Sequence, residues 1–77
     1  MKEVINKAPH LSMKNKVNVG NSAQCGCYHC LKVFDSKEIS DWTDNNQTAL
    51  CPYCAVDAVL PNINDKEILQ AAHKFWI

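Results

Sequence analysis

The chain has 77 residues, enough for one domain at most, and its formal net charge at pH 7 is zero. It contains no arginine, the usual reader of guanine and a common phosphate clamp, which argues against specific recognition of DNA. No run of the sequence is long and apolar enough to span a membrane, and the first residues lack the apolar core of a secretory signal. We therefore expect a cytoplasmic protein in which the five cysteines are metal ligands rather than disulfides.

The charges divide the chain into two parts. Residues 1–24 carry four lysines against one glutamate, whereas residues 25–77 carry four lysines against seven acidic side chains. Pro9 interrupts the few apolar residues of the first part, and residues 17–22 are poor helix formers. We expect residues 1–24 to form a loosely ordered arm with at most one helical turn, and residues 25–77, which contain all five cysteines, to form the metal-binding domain. The lysines of the arm are either simply solvated or meet an acidic surface, on a partner or on the domain itself.

The first cysteine cluster has the sequence CGCYHC at residues 25–30. We expect Gly26 to supply the positive φ angle that a tight turn requires. Residues 31–34 then alternate apolar and polar side chains, which predicts a short strand leaving the turn.

A short helix is predicted between the two cysteine clusters. Asp35 followed three residues later by Glu38 resembles a capping box, which predicts a helix over residues 36–42. The Asn- and Asp-rich residues 43–47 predict a turn, and residues 48–50 predict a short strand leading into the second cluster. The helix would then lie within a short hairpin that joins the clusters.

The second cluster has the sequence CPYC at residues 51–54. Residues 55–60 contain two valines, which favour a strand, and two alanines, which favour a helix, so periodicity leaves both open. A final helix is predicted with Asn64 as its N-cap and Glu67 as the partner in a capping box. Its apolar residues recur at helical spacing and are expected to pack in the core. They are Ile68, Leu69, Ala72, Phe75 and Trp76.

Two C-x-x-C pairs separated by twenty residues are typical of a tetrahedral metal site. Each C-x-x-C turn directs two sulfurs toward one point, so two turns supply four thiolates with no open position. The predicted ligands of one structural Zn²⁺ are Cys27, Cys30, Cys51 and Cys54; iron accepts the same set. Cys25 either replaces Cys27 or stays free, and the C-x-x-C spacing favours Cys27. The side chain of His29 is expected to point away from the metal.

The second pair by itself resembles the redox motif of glutaredoxins. This resemblance implies that Cys51 is the attacking thiolate and Cys54 the resolving cysteine. Only 23 residues follow the motif, however, too few for the remaining elements of a thioredoxin-like fold. No Thr-Val-Pro segment follows to supply the cis-proline of that family, and Cys27 and Cys30 would have no role. The zinc interpretation is therefore preferred.

Residues 25–77 also resemble a family of small, uncharacterised bacterial cytoplasmic proteins with two CxxC knuckles. The shared features are Cys-Gly-Cys-Tyr-x-Cys, an Ile-x-x-Trp helix, Thr-Ala-x-Cys-Pro-Tyr-Cys, an Asp-x-Val segment and a terminal aromatic-Trp pair. In that family a glycine usually follows the second pair, where this chain has Ala55, which strains the knuckle if a positive φ angle is needed there. The resemblance implies zinc binding, bacterial origin and cytoplasmic location, and it implies no activity.

These patterns predict a small α+β, zinc-ribbon-like fold with two knuckles, a short β-hairpin, an inserted helix and a C-terminal amphipathic helix. A treble clef is the alternative if residues 55–60 begin a helix. A closed metal site without a catalytic constellation predicts a non-enzymatic module that binds an unidentified protein. The alternatives are a nucleic-acid-binding zinc ribbon, which the acidic balance of residues 25–77 disfavours, and a thiol redox sensor. The aromatic end of the last helix also allows a homodimer.

Overall fold

The computed structural model describes residues 2–77 and shows a small α+β fold with two antiparallel sheets. The helices are α1 Lys2–Asn6, α2 Ala8–Leu11, α3 Lys16–Gly20 and α4 Lys66–Trp76. The strands are β1 Gln24–Cys27, β2 Val33–Asp35, β3 Trp42–Thr43, β4 Thr48–Ala49 and β5 Val59–Pro61. Within the described residues, no helix combines the length and the apolar character that crossing a membrane requires.

Strand β1 is the centre of the fold, because it pairs antiparallel with β2 on one side and with β5 on the other. Gly26 lies in this strand without a positive φ angle, so the sequence prediction for this residue is wrong. Its missing side chain instead makes room for helix α4. A Cβ atom at Gly26 would lie 2.8 Å from a methyl carbon of Leu69 and 3.2 Å from the carbonyl oxygen of Ile63. The glycine therefore serves helix–sheet packing rather than a turn.

Residues 2–24 contain three short helices, where the sequence led us to expect a loose arm with at most one helical turn. Val19 is fully buried in the core, and so is the side chain of Asn15. The Asn15 amide donates to the carbonyl oxygen of Val59 at 2.9 Å and accepts from the N–H of Ala49 at 3.1 Å. This contact ties the segment to two strands, and local helix propensity does not reveal it.

The helix predicted over residues 36–42 is a single 3-10 turn, Ser36–Glu38, after which the chain is extended. The predicted pairing at its start is present, because the N–H of Asp35 donates to the Glu38 carboxylate at 3.0 Å. Strand β3 begins only a few residues later and pairs with β4. Hairpin hydrogen bonds therefore replace the helical ones that the pattern predicted.

The segment that was compatible with a strand or a helix forms strand β5. It pairs with β1 in the register that places Val59 opposite Cys27 and Pro61 opposite Cys25. Val59 and Leu60 are fully buried. The β-branched side chain suits the strand, and no helix of the described residues follows the second cysteine cluster directly.

Helix α4 differs from the prediction at both ends. Its N-cap is Asp65, whose carboxylate accepts from the N–H of Glu67 at 2.9 Å, rather than Asn64. The middle of the apolar stripe is buried as predicted, but Phe75 is 62 % exposed and Trp76 is 45 % exposed. The last turn of α4 meets the short helix α1, where the Trp76 indole N–H donates to the carbonyl oxygen of Ile5, but this contact buries neither ring.

Candidate metal centre

The four predicted ligands meet where strand β1 ends. The sulfur atoms of Cys27, Cys30, Cys51 and Cys54 all lie within 4.8 Å of one another. The sulfurs of Cys27 and Cys54 are 3.7 Å apart, and those of Cys30 and Cys51 are 3.6 Å apart. Within each C-x-x-C pair the first cysteine is buried and the second is half-buried. The two pairs therefore converge as the sequence predicted.

Two copies of one backbone turn hold the sulfurs, the first knuckle at residues 27–32 and the second knuckle at residues 51–56. In each knuckle the N–H of the first cysteine donates to the carbonyl oxygen five residues later, at 3.0 Å. The N–H of the residue after the second cysteine donates back to the first cysteine's carbonyl oxygen, at 2.8 Å and 2.9 Å respectively. The N–H two residues after the first cysteine donates to its sulfur, at 3.4 Å in both knuckles.

The residue that follows each pair adopts a left-handed conformation. Leu31 has a φ angle of 68° and Ala55 a φ angle of 63°. A side chain in this region costs roughly 1 kcal/mol relative to glycine, because the Cβ atom crowds the neighbouring carbonyl oxygen. The strain that the sequence predicted at Ala55 is therefore present, and the first knuckle carries the same strain.

The surroundings act unequally on the thiols. Burial raises the pKa of Cys27 and of Cys51, although backbone N–H groups that donate to their sulfurs act in the opposite direction. Burial also acts to raise the pKa of Cys30, but the N–H of Lys32 and the neighbouring sulfurs outweigh it, so this pKa is lowered. The N–H groups aimed at the sulfurs would favour thiolates over thiols in a metal complex.

The spacing of the sulfurs fits a tetrahedral metal ion. A zinc–sulfur bond of about 2.3 Å places the sulfurs of a regular tetrahedron roughly 3.8 Å apart. The two sulfur–sulfur contacts of 3.6 and 3.7 Å are close to this value, and both are far longer than the bond of about 2.05 Å in a disulfide. Four protein sulfurs fill the coordination shell, so a metal bound here would cross-link the knuckles.

Two further candidates from the sequence lie outside the cluster. Cys25 is fully buried in β1 and does not join the four sulfurs, so it does not replace Cys27. Burial raises the pKa of Cys25 as well. His29 is exposed, and it contributes its backbone N–H to the sulfur of Cys27 rather than its imidazole to the site, as expected.

Two side chains outside the knuckles form hydrogen bonds to them, and the sequence patterns identified neither. His73 on α4 lies with its Nδ1 atom 3.0 Å from the carbonyl oxygen of Tyr28 in the first knuckle. It follows the buried Leu69 by four residues, and this spacing could have placed it on the packed face of the helix. On the second knuckle, the hydroxyl of Tyr53 donates to Glu38, which lowers the pKa of that carboxyl. Two exposed residues so far apart leave no sequence signal.

Comparisons with protein-family models, with curated proteins and with solved structures found no match to this chain. The resemblance of residues 25–77 to a bacterial family therefore stays a prediction. The function has to be inferred from the geometry of the cysteine cluster and its surroundings.

Proposed function

We propose that this protein is a small zinc-binding, non-enzymatic domain that acts as a protein-interaction module. The observation that carries the proposal is the convergence of four cysteine sulfurs from two matching knuckles. A site filled by four protein ligands is of the structural kind, since a catalytic zinc keeps a position open for water or substrate. In a chain of this length, the metal would supply much of the folding free energy.

Zinc is the proposed metal because a closed tetrahedral Cys₄ site is its usual structural setting, although iron accepts the same ligands. The knuckles follow strands, and a strand rather than a helix comes after the second pair. This order supports a zinc-ribbon-like fold over a treble clef. Free thiols suit a reducing compartment, which supports the proposed cytoplasmic location, and the proposed bacterial origin is based on the resemblance of residues 25–77.

The proposed interaction surface is the exposed apolar end of α4, formed by Phe75, Trp76 and Ile77. The two rings stack edge to face with their centroids 5.1 Å apart, and the Trp76 indole N–H donates to the carbonyl oxygen of Ile5. Rigid aromatic side chains of this kind are frequent anchors at protein interfaces. Either another protein or a second copy of this chain would cover them.

The metal is tested by native mass spectrometry of protein expressed without added zinc. We expect one zinc ion per chain, lost in Cys27→Ser and retained in Cys25→Ser, because only Cys27 belongs to the cluster. A folded wild-type chain without metal would contradict the proposed site. Retention of zinc by Cys27→Ser together with its loss from Cys25→Ser would show that the ligand set is wrong.

The interaction surface is tested by affinity capture of host proteins and by light scattering of the purified chain. Phe75→Ser removes an exposed ring from the end of α4, and Val17→Ser removes a still more exposed apolar side chain from α3 as the control. We expect capture or dimerisation to be lost in Phe75→Ser alone. Equal behaviour of both variants would contradict this surface, and turnover of a thiol substrate by the zinc-loaded protein would contradict the non-enzymatic assignment.

A further inference from the structure

We infer that a two-electron oxidant of the peroxide class converts the four site cysteines into two disulfides that cross between the knuckles, Cys27–Cys54 and Cys30–Cys51. This chemistry rests on the proposed function, because the same four sulfurs hold the proposed zinc ion. Their oxidation removes the thiolates that bind the metal and therefore releases it. The cluster would then be a peroxide-sensitive site as well as a structural one.

The first observation is the way the sulfurs pair in space. All four sulfurs lie within 4.8 Å of one another, and the two contacts that have hydrogen-bond geometry join one knuckle to the other, Cys27 with Cys54 at 3.7 Å and Cys30 with Cys51 at 3.6 Å. A disulfide bond of about 2.05 Å requires each pair to approach by roughly 1.6 Å. The sulfurs of different knuckles can approach each other when the two knuckles move as rigid units. A disulfide inside one knuckle would instead have to form within a turn that backbone hydrogen bonds already fix.

The second observation is the unequal exposure within each pair. Cys30 and Cys54 are half-buried, and their respective partners Cys51 and Cys27 are buried. Each pair therefore combines one sulfur that a small oxidant can reach with one that is shielded from it. An oxidised outer sulfur has a buried thiol of the other knuckle beside it, which favours disulfide formation over further oxidation.

The reaction balances with one peroxide for each disulfide. The outer thiolate attacks a peroxide oxygen, the O–O bond breaks, hydroxide leaves and a sulfenic acid remains. The inner thiolate then attacks the sulfenic sulfur, the S–O bond breaks and a second hydroxide leaves. Two protons convert the hydroxides to water, so the two sulfurs are oxidised by two electrons and the peroxide is reduced.

Disulfides that cross between the knuckles replace the link that the metal provides. Each would join the end of strand β1 or the turn after it to the loop that follows β4. The oxidised protein is therefore expected to stay compact after zinc release, and a thiol reductant should restore the metal site. Cys25 is fully buried away from the cluster, so it should remain a free thiol throughout.

The test is peroxide treatment of the full chain after its zinc content has been measured. Free thiols are blocked by alkylation under denaturing conditions, and the protein is digested with chymotrypsin. Cleavage after Tyr28 and Tyr53 separates the two cysteines of each knuckle. Cys25 and Cys27 share one peptide, so fragmentation between them by tandem mass spectrometry completes the assignment of each disulfide. A chromogenic chelator follows zinc release in the same sample.

We expect the Cys27–Cys54 and Cys30–Cys51 peptides, loss of the bound zinc, and recovery of both thiols and zinc binding after reduction. Cys25→Ser should give the same two disulfides, and metal-free Cys30→Ser should give only Cys27–Cys54. Disulfides within each knuckle, a disulfide that contains Cys25, or sulfinic acids without disulfides would overturn the inference. Absence of zinc before oxidation would instead overturn the proposed function, while the disulfide pattern of that sample still decides the pairing.

Discussion

The two knuckles share one backbone structure but differ in what holds them. The first continues from the central strand, its Tyr28 is only 7 % exposed, and the carbonyl oxygen of Tyr28 meets His73 of α4. The second lies on the loop between β4 and β5, where Pro52 is exposed and Tyr53, 53 % exposed, reaches Glu38 on the surface. The first knuckle thus packs an aromatic side chain in the core, whereas the second contributes Cys51 to the core and presents Pro52 and Tyr53 on the surface.

This difference shows that cysteine spacing and tertiary context contribute separately to the site. The spacing and the residues around it produce the same turn twice, with the same hydrogen bonds to sulfur. The cysteines of both turns are buried to a similar degree, but the side chain between them that follows the first cysteine is buried in the first turn and exposed in the second. A bound metal should therefore order the second knuckle more than the first, because the first has core contacts of its own.

The largest expected effect comes from matched substitutions at the second position of each C-x-x-C pair. Tyr28→Ala should lower the free energy of unfolding of the zinc-loaded protein by about 4 kcal/mol, because it empties a buried aromatic site. Pro52→Ala should change it by about 1 kcal/mol or less, because Pro52 is exposed. Urea unfolding measures both. Equal losses at the two positions would contradict the difference in support between the knuckles.

A somewhat smaller effect is expected at the flanks of the second knuckle. Asn15 bonds to the carbonyl oxygen of Val59, after the knuckle, and to the N–H of Ala49, before it. Asn15→Ala should lower the free energy of unfolding by about 3 kcal/mol, since two buried backbone groups lose their partner. Asn18→Ala, at an exposed position of α3, is the control and should be nearly neutral. A neutral Asn15→Ala would mean that residues 1–24 are the loose arm first expected.

The strand that leads into the first knuckle is tested with the two glycines of the chain. Gly26→Ala should cost about 2 kcal/mol, because the new methyl group meets Leu69 and the carbonyl oxygen of Ile63. Gly20→Ala is the control, since the space around Gly20 is open and alanine favours a helix. Thermal unfolding of zinc-loaded protein compares them. A stable Gly26→Ala variant would show that β1 and α4 are less tightly packed than described.

The smallest effect is expected from relief of backbone strain, and it should be opposite in sign. Ala55→Gly should raise the free energy of unfolding by about 1 kcal/mol, because glycine adopts the positive φ angle freely and the exposed methyl group packs against little. Leu31→Gly relieves the same strain but removes a half-buried side chain, so it should not stabilise. The urea midpoint of each variant is compared with that of the wild-type chain. Destabilisation by Ala55→Gly would contradict the assigned strain.

Local patterns predicted the parts of the fold that depend on neighbouring residues. The cysteine pairs predicted the converging sulfurs, the polar residues 43–47 predicted the hairpin turn, and the apolar stripe predicted the buried face of α4. The glycine normally found after the second pair predicted the strain at Ala55. The turn and the strain have causes within a few residues of the pattern. The two cysteine pairs lie twenty residues apart, and their convergence was predicted because four ligands have to meet at one metal ion.

Contacts between distant residues decided the features that the sequence did not predict. Asn15 gains its order from strands more than thirty residues away, and Gly26 is required by a helix rather than by its own turn. Phe75 and Trp76 continue the apolar stripe of α4, yet they stay exposed. Helical periodicity predicts which face of α4 is apolar. How many residues of that face are buried depends on the elements that pack against it.

The proposed zinc site is tested most directly by X-ray absorption at the zinc edge of purified, zinc-loaded protein. The four converging cysteines predict four sulfur ligands at about 2.3 Å and no lighter ligand. A nitrogen or oxygen ligand at about 2.0 Å, or fewer than four sulfurs, would show that the knuckles do not form a closed Cys₄ site.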